Sequence, residues 1–148
     1  CYEWVLTKNY DHTNEEHRRV RHAIELGNGL PSLDTDANVK KNLEAAGFEV
    51  EDFFDMCERF ENGRPQNHTW YEPLQGSYTR VSGWKSTPVG RFVTRGICSL
   101  AETLKLTPKG SVATADILEE AAAGLVRGGE LKIFTPALFF LARKPAAQ

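Results

Sequence analysis

DILEEAAAGLVRGGELKIFTPALFFLARKP, residues 116–145, puts a helix and a strand in immediate succession. Ile117, Leu118, Ala121, Ala122, Leu125 and Val126 recur at i, i+1, i+4, i+5, i+8 and i+9, which is one face of a helix. Gly128-Gly129 is expected to stop that helix, because glycine takes the left-handed conformation after a last turn. Residues 132–144 then read as a strand. Its run 137–142 has no polar side chain, as in a strand covered on both faces of a layered α/β domain. Pro136 has no N–H to give a ladder, so it marks an edge or the strand's start.

The chain before this stretch supplies the other layers. Residues 2–7 are aromatic and β-branched, hence a strand. Glu3 lies in it between Tyr2 and Trp4, and such apolar neighbours imply burial. Asn14 is the expected N-cap of a helix over 17–26, with Glu15 and Glu16 in its first turn and Val20, Ala23 and Ile24 inward. Gly27-Asn28-Gly29-Leu30-Pro31 breaks it. Thr35 or Asp34 caps a second helix carrying Val39, Leu43 and Ala46, Gly47 ends it, and 48–54 form a second strand. Helix, glycine, strand is the αβ step of a layered sheet. From 56 to 83 the periodicity dissolves, yet Trp70, Tyr71, Tyr78 and Trp84 lie in or beside this segment, as in a lid or binding loop. Pro88 after Thr87 opens a third helix, to about residue 106, with the stripe Val89, Phe92, Val93, Ile97, Leu100 and Leu104.

Composition narrows the function. A net charge of −2 supplies no global field to gather nucleic acid or to draw the chain to an anionic membrane. No apolar run reaches the roughly 20 residues of a membrane-spanning helix. Three cysteines, Cys1, Cys57 and Cys98, lack metal-type spacing and read as reduced thiols. His12, His17 and His22 are five apart, so they fan around a helix where a metal pair would stand at i, i+4. No glycine-rich turn between a strand and a helix offers a phosphate or nucleoside cradle; Gly124 and Gly128-Gly129 lie at the wrong end of a helix. Two acids stand out. Glu25 at a helix end opposes the dipole, and serves a ligand or is simply solvated. Glu3, if buried, needs a partner or a task.

At several of these places the chain resembles the C-terminal part of the sterol 24-C-methyltransferases. Tyr2-Glu3-Trp4, Glu16-His17-Arg18, the segment Ile24-Glu25-Leu26-Gly27-Asn28-Gly29-Leu30-Pro31 and Ala46-Gly47-Phe48-Glu49-Val50 are similar to that family's segments. So are Trp70-Tyr71-Glu72-Pro73-Leu74, Val89-Gly90-Arg91-Phe92-Val93-Thr94-Arg95 (close to the plant and algal branch), Ala122-Ala123-Gly124-Leu125-Val126, Phe134-Thr135-Pro136 and the run Phe139-Phe140-Leu141-Ala142-Arg143-Lys144-Pro145. Asn28 departs from the aspartate expected there, and 56–83 is divergent.

The resemblance implies an α/β fold, the C-terminal part of a class I, Rossmann-like methyltransferase sheet. Residues 2–7 would be its fifth strand, 48–54 its sixth, and 132–144 the antiparallel seventh between them. Residues 1–55 would end the core, 56–112 form an inserted substrate cover, and 113–148 supply the last helix and strand. The abrupt opening at Cys1 would then be that of a longer enzyme, with the S-adenosyl-L-methionine site mostly outside this chain and the isolated chain inactive. The implied reaction moves a methyl group from S-adenosylmethionine to carbon 24 of a sterol, leaving a transient cation that aromatic faces stabilise. Tyr2, Trp4, Glu25, Asn28, Trp70 and Tyr71 are the implied substrate contacts, and Glu3 the implied catalytic acid. A sterol or triterpene partner, homo-oligomerisation and the cytosolic surface of the endoplasmic reticulum membrane go with the family, and no metal or nucleic acid does. The alternatives are methylation of linear, squalene-like triterpenes, a stand-alone lipid-binding module, or a dimerisation module built on the third helix.

Overall fold

The structure is a computed structural model that describes residues 1–62, 69–76 and 87–145. Tyr78 and Trp84 lie outside the described residues. The elements run β1 (Tyr2–Leu6), α1 (Glu15–Asn28), α2 (Asp36–Ala45), β2 (Glu49–Asp55), α3 (Met56–Asn62), α4 (Glu72–Gln75), α5 (Pro88–Thr103), α6 (Ser111–Glu130) and β3 (Phe134–Arg143).

The three strands form one sheet in the order β1-β3-β2, with β3 antiparallel to both neighbours. The proline thus sits in the middle strand, not at an edge. It is tolerated because the ladder is interrupted there. Thr135 pairs with Val5 and Leu138 with Glu3, so Pro136 and Ala137 together face Trp4 alone, a bulge. Pairing with β2 begins only at Leu138, after the proline. Cover of β3 is uneven: Leu138 is buried, but Leu141 is 46% exposed. Residues 34–35 flank the end of β1, where Leu6 donates its N–H to the Asp34 carbonyl at 2.9 Å.

Caps fall where the side chains for them stand. Asn14 accepts the N–H groups of Glu16 and His17, Thr35 that of Asn38, and buried Thr87 that of Gly90. Each such cap stabilises a helix by about 1 kcal/mol. The main core joins Leu6, Val20, Ile24, Leu33, Ile133 and Phe134, beneath α1 and α6. Fully burying a side chain such as Ile24 contributes roughly 1.5–3 kcal/mol.

The glycines of α6 do not stop it. The helix runs through Gly128 and Gly129 to Glu130, and the chain reverses at Lys132, with φ 56°. These glycines are small because neighbours touch them. A Cβ on Gly128 would stand 3.1 Å from Phe134 Cβ, and one on Gly129 only 2.1 Å from Tyr71 Cδ1. Likewise α1 continues through Gly27, whose Cβ would fall 2.1 Å from Ala121 Cβ. The break comes at Gly29, with φ 61°. The two helices run antiparallel in close contact, Gly27 against Ala121 at one end and Gly128 against Val20 at the other.

The described parts of the segment after β2 are largely helical. Helix α3 follows β2 directly, and the short α4 follows Trp70-Tyr71. Helix α5 forms as its stripe predicts, but the stripe faces outward. It meets α6 through its other face, where Arg91 pairs with Glu119 and Arg95 with Asp116. Glu102 Oε1 and Oε2 accept the Gly110 and Val112 N–H groups at 3.0 and 3.1 Å, capping α6 from its neighbour. Phe92 is 79% exposed and Leu106, just past the helix, 76%. Glu3 is also exposed, not buried, because among the described residues nothing covers the outer part of β1.

Candidate functional site

A cavity of about 660 Å³ opens where β1 and β2 end and β3 begins. β1 and β2 both oppose β3, so they run parallel to each other. Carboxyl ends of such strands are where ligands meet an open α/β sheet. Thr7 and Asn9 set its rim: Thr7 Oγ1 and Asn9 Nδ2 donate to the Lys132 carbonyl at 2.5 and 3.0 Å. Its wall joins the aromatic side chains of Phe53, Phe54, Trp70, Tyr71 and Phe134 with the charged Lys8, Asp36, Asp55, Glu58 and Lys132. Trp70 stands edge-on to Tyr71 at 5.4 Å and to Phe134 at 5.7 Å.

Asp55 is one of three acids in the lining, with Asp36 and Glu58, and it is the one tied to the middle strand. One oxygen, Oδ1, accepts the Thr135 hydroxyl at 2.8 Å, the Cys57 N–H at 2.8 Å and the Glu58 N–H at 3.4 Å. Asp55 thus ends β2, caps α3 and satisfies Thr135, which is only 3% exposed. Among the described residues Oδ2 has no hydrogen-bond partner. Beside it Arg59 lies 4.7 Å over the Phe54 ring, on the edge of a shallow apolar hollow. Aromatic faces and a fixed carboxylate together attract positive charge, and the carboxylate also accepts a hydroxyl.

The residues singled out in the sequence divide. Trp70 and Tyr71 line the cavity. Trp4 joins the same aromatic cluster from the core side, edge-on to Phe134 at 5.5 Å. Tyr2 lies tilted against Phe139, ring centres 5.4 Å apart, near the start of β1 and is largely exposed. Glu3 pairs across the sheet with Leu138, which lines the cavity, but is not itself in the wall. Glu25 is engaged structurally: its Oε1 accepts Arg21 Nε at 2.7 Å and the Leu33 N–H at 2.7 Å. The hydrogen bond to Glu25 leads the causes that raise the Arg21 pKa above the usual arginine value. Asn28 is exposed and donates Nδ2 to the Ile24 carbonyl at 2.8 Å. His17 Nδ1 accepts the Asp11 N–H, fixing the turn before α1.

Asp55 and Thr135 were not singled out in the sequence. One signal existed for Asp55: an acid three residues before Glu58, after a strand, is a capping-box start. Nothing in its own stretch marks Thr135, whose role depends on a carboxylate 80 residues away.

The family model described as "Sterol methyltransferase C-terminal" matches residues 81–146. A sterol 24-C-methyltransferase of Eremothecium gossypii is 43% identical over 97% of this chain and 39% of its own length. A cycloartenol-C-24-methyltransferase of Arabidopsis thaliana is 40% identical over 98% of the chain and 41% of its own. One of rice is 41% identical over 99% and 41%. The chain thus spans about two fifths of the length of these curated relatives. No solved structure matches it.

Proposed function

The chain belongs to the sterol 24-C-methyltransferase family, whose C-terminal part it matches, and from that premise we propose that it is the lipid-holding part of an enzyme adding a methyl group to carbon 24 of a sterol side chain. The observation that carries the reading is 43% identity to such an enzyme across nearly the whole chain. The aromatic cavity supports it. We also read β1, β2 and β3 as the fifth, sixth and seventh strands of a class I sheet. The order β1-β3-β2, with β3 antiparallel, is in favour.

S-adenosylmethionine is the methyl donor this reading requires. A nucleoside cofactor is held by open backbone amides of a glycine-rich turn at a helix N-terminus. The glycines here do not fit that part. Gly124, Gly128 and Gly129 lie inside α6 against Ala23, Ile24, Phe134 and Tyr71. Contacts to the donor therefore fall to residues other than these.

The chain's own side chains hold the lipid dry and meet the charge that develops on it. An electrophilic methyl group added to an alkene leaves positive charge on the adjacent carbon. Each ring face presented to that charge, as by Trp70 or Tyr71, is worth about 0.5–2 kcal/mol. Asp55 Oδ2 supplies a fixed negative partner to the cation, or an acceptor for a hydroxyl, while Oδ1 keeps the group oriented. Positioning of an apolar substrate by the wall supplies the rest.

The test is methyl transfer. A full-length enzyme of the family that carries this chain as its C-terminal part is incubated with methyl-labelled S-adenosylmethionine and either cycloartenol or squalene, and products are identified by mass spectrometry. The expected result is label at carbon 24 of the sterol. Trp70→Leu, which keeps apolar bulk and removes the ring face, should lower turnover about tenfold with its folding intact. Label on squalene alone would move the reading to linear triterpenes, and label on neither would remove it.

A further inference from the structure

We propose that Thr135 is a positioning residue for the methyl transfer: acting through Asp55, it keeps the second carboxylate oxygen turned to the charge that develops on the substrate. This rests on the reading above, in which Asp55 Oδ2 meets that charge. Thr135 itself is only 3% exposed, so its hydroxyl is given to the protein and not to a ligand.

The middle strand makes that hydroxyl directional. Ala137, released from the ladder by the bulge at Pro136, donates its N–H to Thr135 Oγ1 at 3.3 Å. A hydroxyl has one proton to give. With an amide already on its oxygen, that proton goes to Asp55 Oδ1 at 2.8 Å. The Cys57 and Glu58 amides also reach Oδ1, but they belong to the turn that Asp55 itself starts and move with it. Among the described residues Thr135 is the one donor to this carboxylate from another strand. The last side-chain bond of an aspartate turns easily, so the tie matters. Lys8 and Lys132 line the same cavity, and a carboxylate untied from Thr135 can turn to either of them. Valine would suit a buried strand position and leave no polar atom to satisfy. What threonine adds over valine there is the hydroxyl alone.

Steady-state kinetics of a full-length family enzyme carrying this chain, with cycloartenol as acceptor, test the proposal. Rates are taken per folded molecule, with Tm measured alongside. Thr135→Val should lower kcat about tenfold and leave the sterol KM within about twofold, because the interaction lost is made only once charge develops. Thr135→Ser, which keeps the hydroxyl, should restore most of kcat. In an Asp55→Asn background, Thr135→Val should change kcat by less than about twofold, since no charge is left to aim. A valine variant with wild-type kcat, a serine variant as slow as the valine one, or an equal loss in the Asp55→Asn background would each overturn the proposal. Wild-type transfer to carbon 24 in the same assay would leave the reading above standing. Wild type that labels no sterol would remove both.

Discussion

Replacing glycine by alanine should have opposite effects at Gly27 and Gly96, although both lie inside helices. At Gly27 the added Cβ would stand 2.1 Å from Ala121 Cβ and 2.8 Å from Ala121 Cα, against 3.4 Å for the closest ordinary contact. The shortfall to the first atom is 3.4 − 2.1 = 1.3 Å, and neither atom can swing aside, so α1 and α6 must part by about that much. Overpacking costs about 1–3 kcal/mol, a 1.3 Å shortfall against backbone belongs to its upper part of about 2–3 kcal/mol, and alanine's better helix propensity offsets about 1 kcal/mol of that. A Cβ on Gly96 meets nothing within 4 Å. There only the propensity gain of about 0.5–1 kcal/mol remains. For a chain of this size 1 kcal/mol moves the midpoint by about 2–4 °C. Thermal unfolding should therefore show Gly27→Ala melting about 2–8 °C lower and Gly96→Ala about 1–4 °C higher. Adding Ala121→Gly to Gly27→Ala should recover only part of the loss, because the 2.8 Å approach to the Ala121 backbone persists. A Gly27→Ala protein as stable as wild type would refute the close helix contact.

Asp55→Ala should cost about 1–3 kcal/mol in denaturant unfolding, since it strands the buried Thr135 hydroxyl; Asp55→Asn, which keeps an acceptor, should lose less. Hydrogen bonds from the Gly110 and then the Val112 amide hold the Glu102 carboxyl below the ordinary glutamate value. A depressed carboxyl contributes stability above its unfolded value and loses it as pH falls through the folded one. The protection factors of the Gly110 and Val112 amides, taken relative to the intrinsic exchange rate at each pH, should thus fall in acid, and Glu102→Ala should make them low across that range. Gly129→Val should displace Tyr71 and open the cavity wall, seen as a change in tyrosine and tryptophan fluorescence; an unchanged spectrum would argue against the 2.1 Å approach.

Features set by near neighbours in sequence were legible. Asn14, Thr35 and Thr87 cap helices because an oxygen two or three residues from an amide is a local matter. Both outer strands and the middle one also announced themselves, as did Trp70 and Tyr71. What escaped depends on distant residues. Gly128-Gly129 looks like a stop until Val20, Ile24 and Tyr71 are brought against it. The apolar stripe of α5 gives the helix but not which way it faces, because that is decided by the acids of α6. Glu3 has apolar neighbours along the chain, yet burial is conferred across the sheet, and there it is exposed. Glu25 seems misplaced at a helix end until Arg21 and the returning Leu33 amide answer its charge.

The middle strand follows in sequence both strands it joins. Asp55 waits 80 residues for Thr135, and Thr7 waits 125 for Lys132. During synthesis β1 and β2 therefore emerge with an empty slot between them and the edges that face it unpaired. Closing such loops is entropically slow, and open edges meanwhile invite other chains. A ribosome that stops short of residue 134 would release β1 and β2 without the strand that joins them. β3 thus acts as a completeness check on this part of the sheet: only a chain that contains it can fill the gap between them.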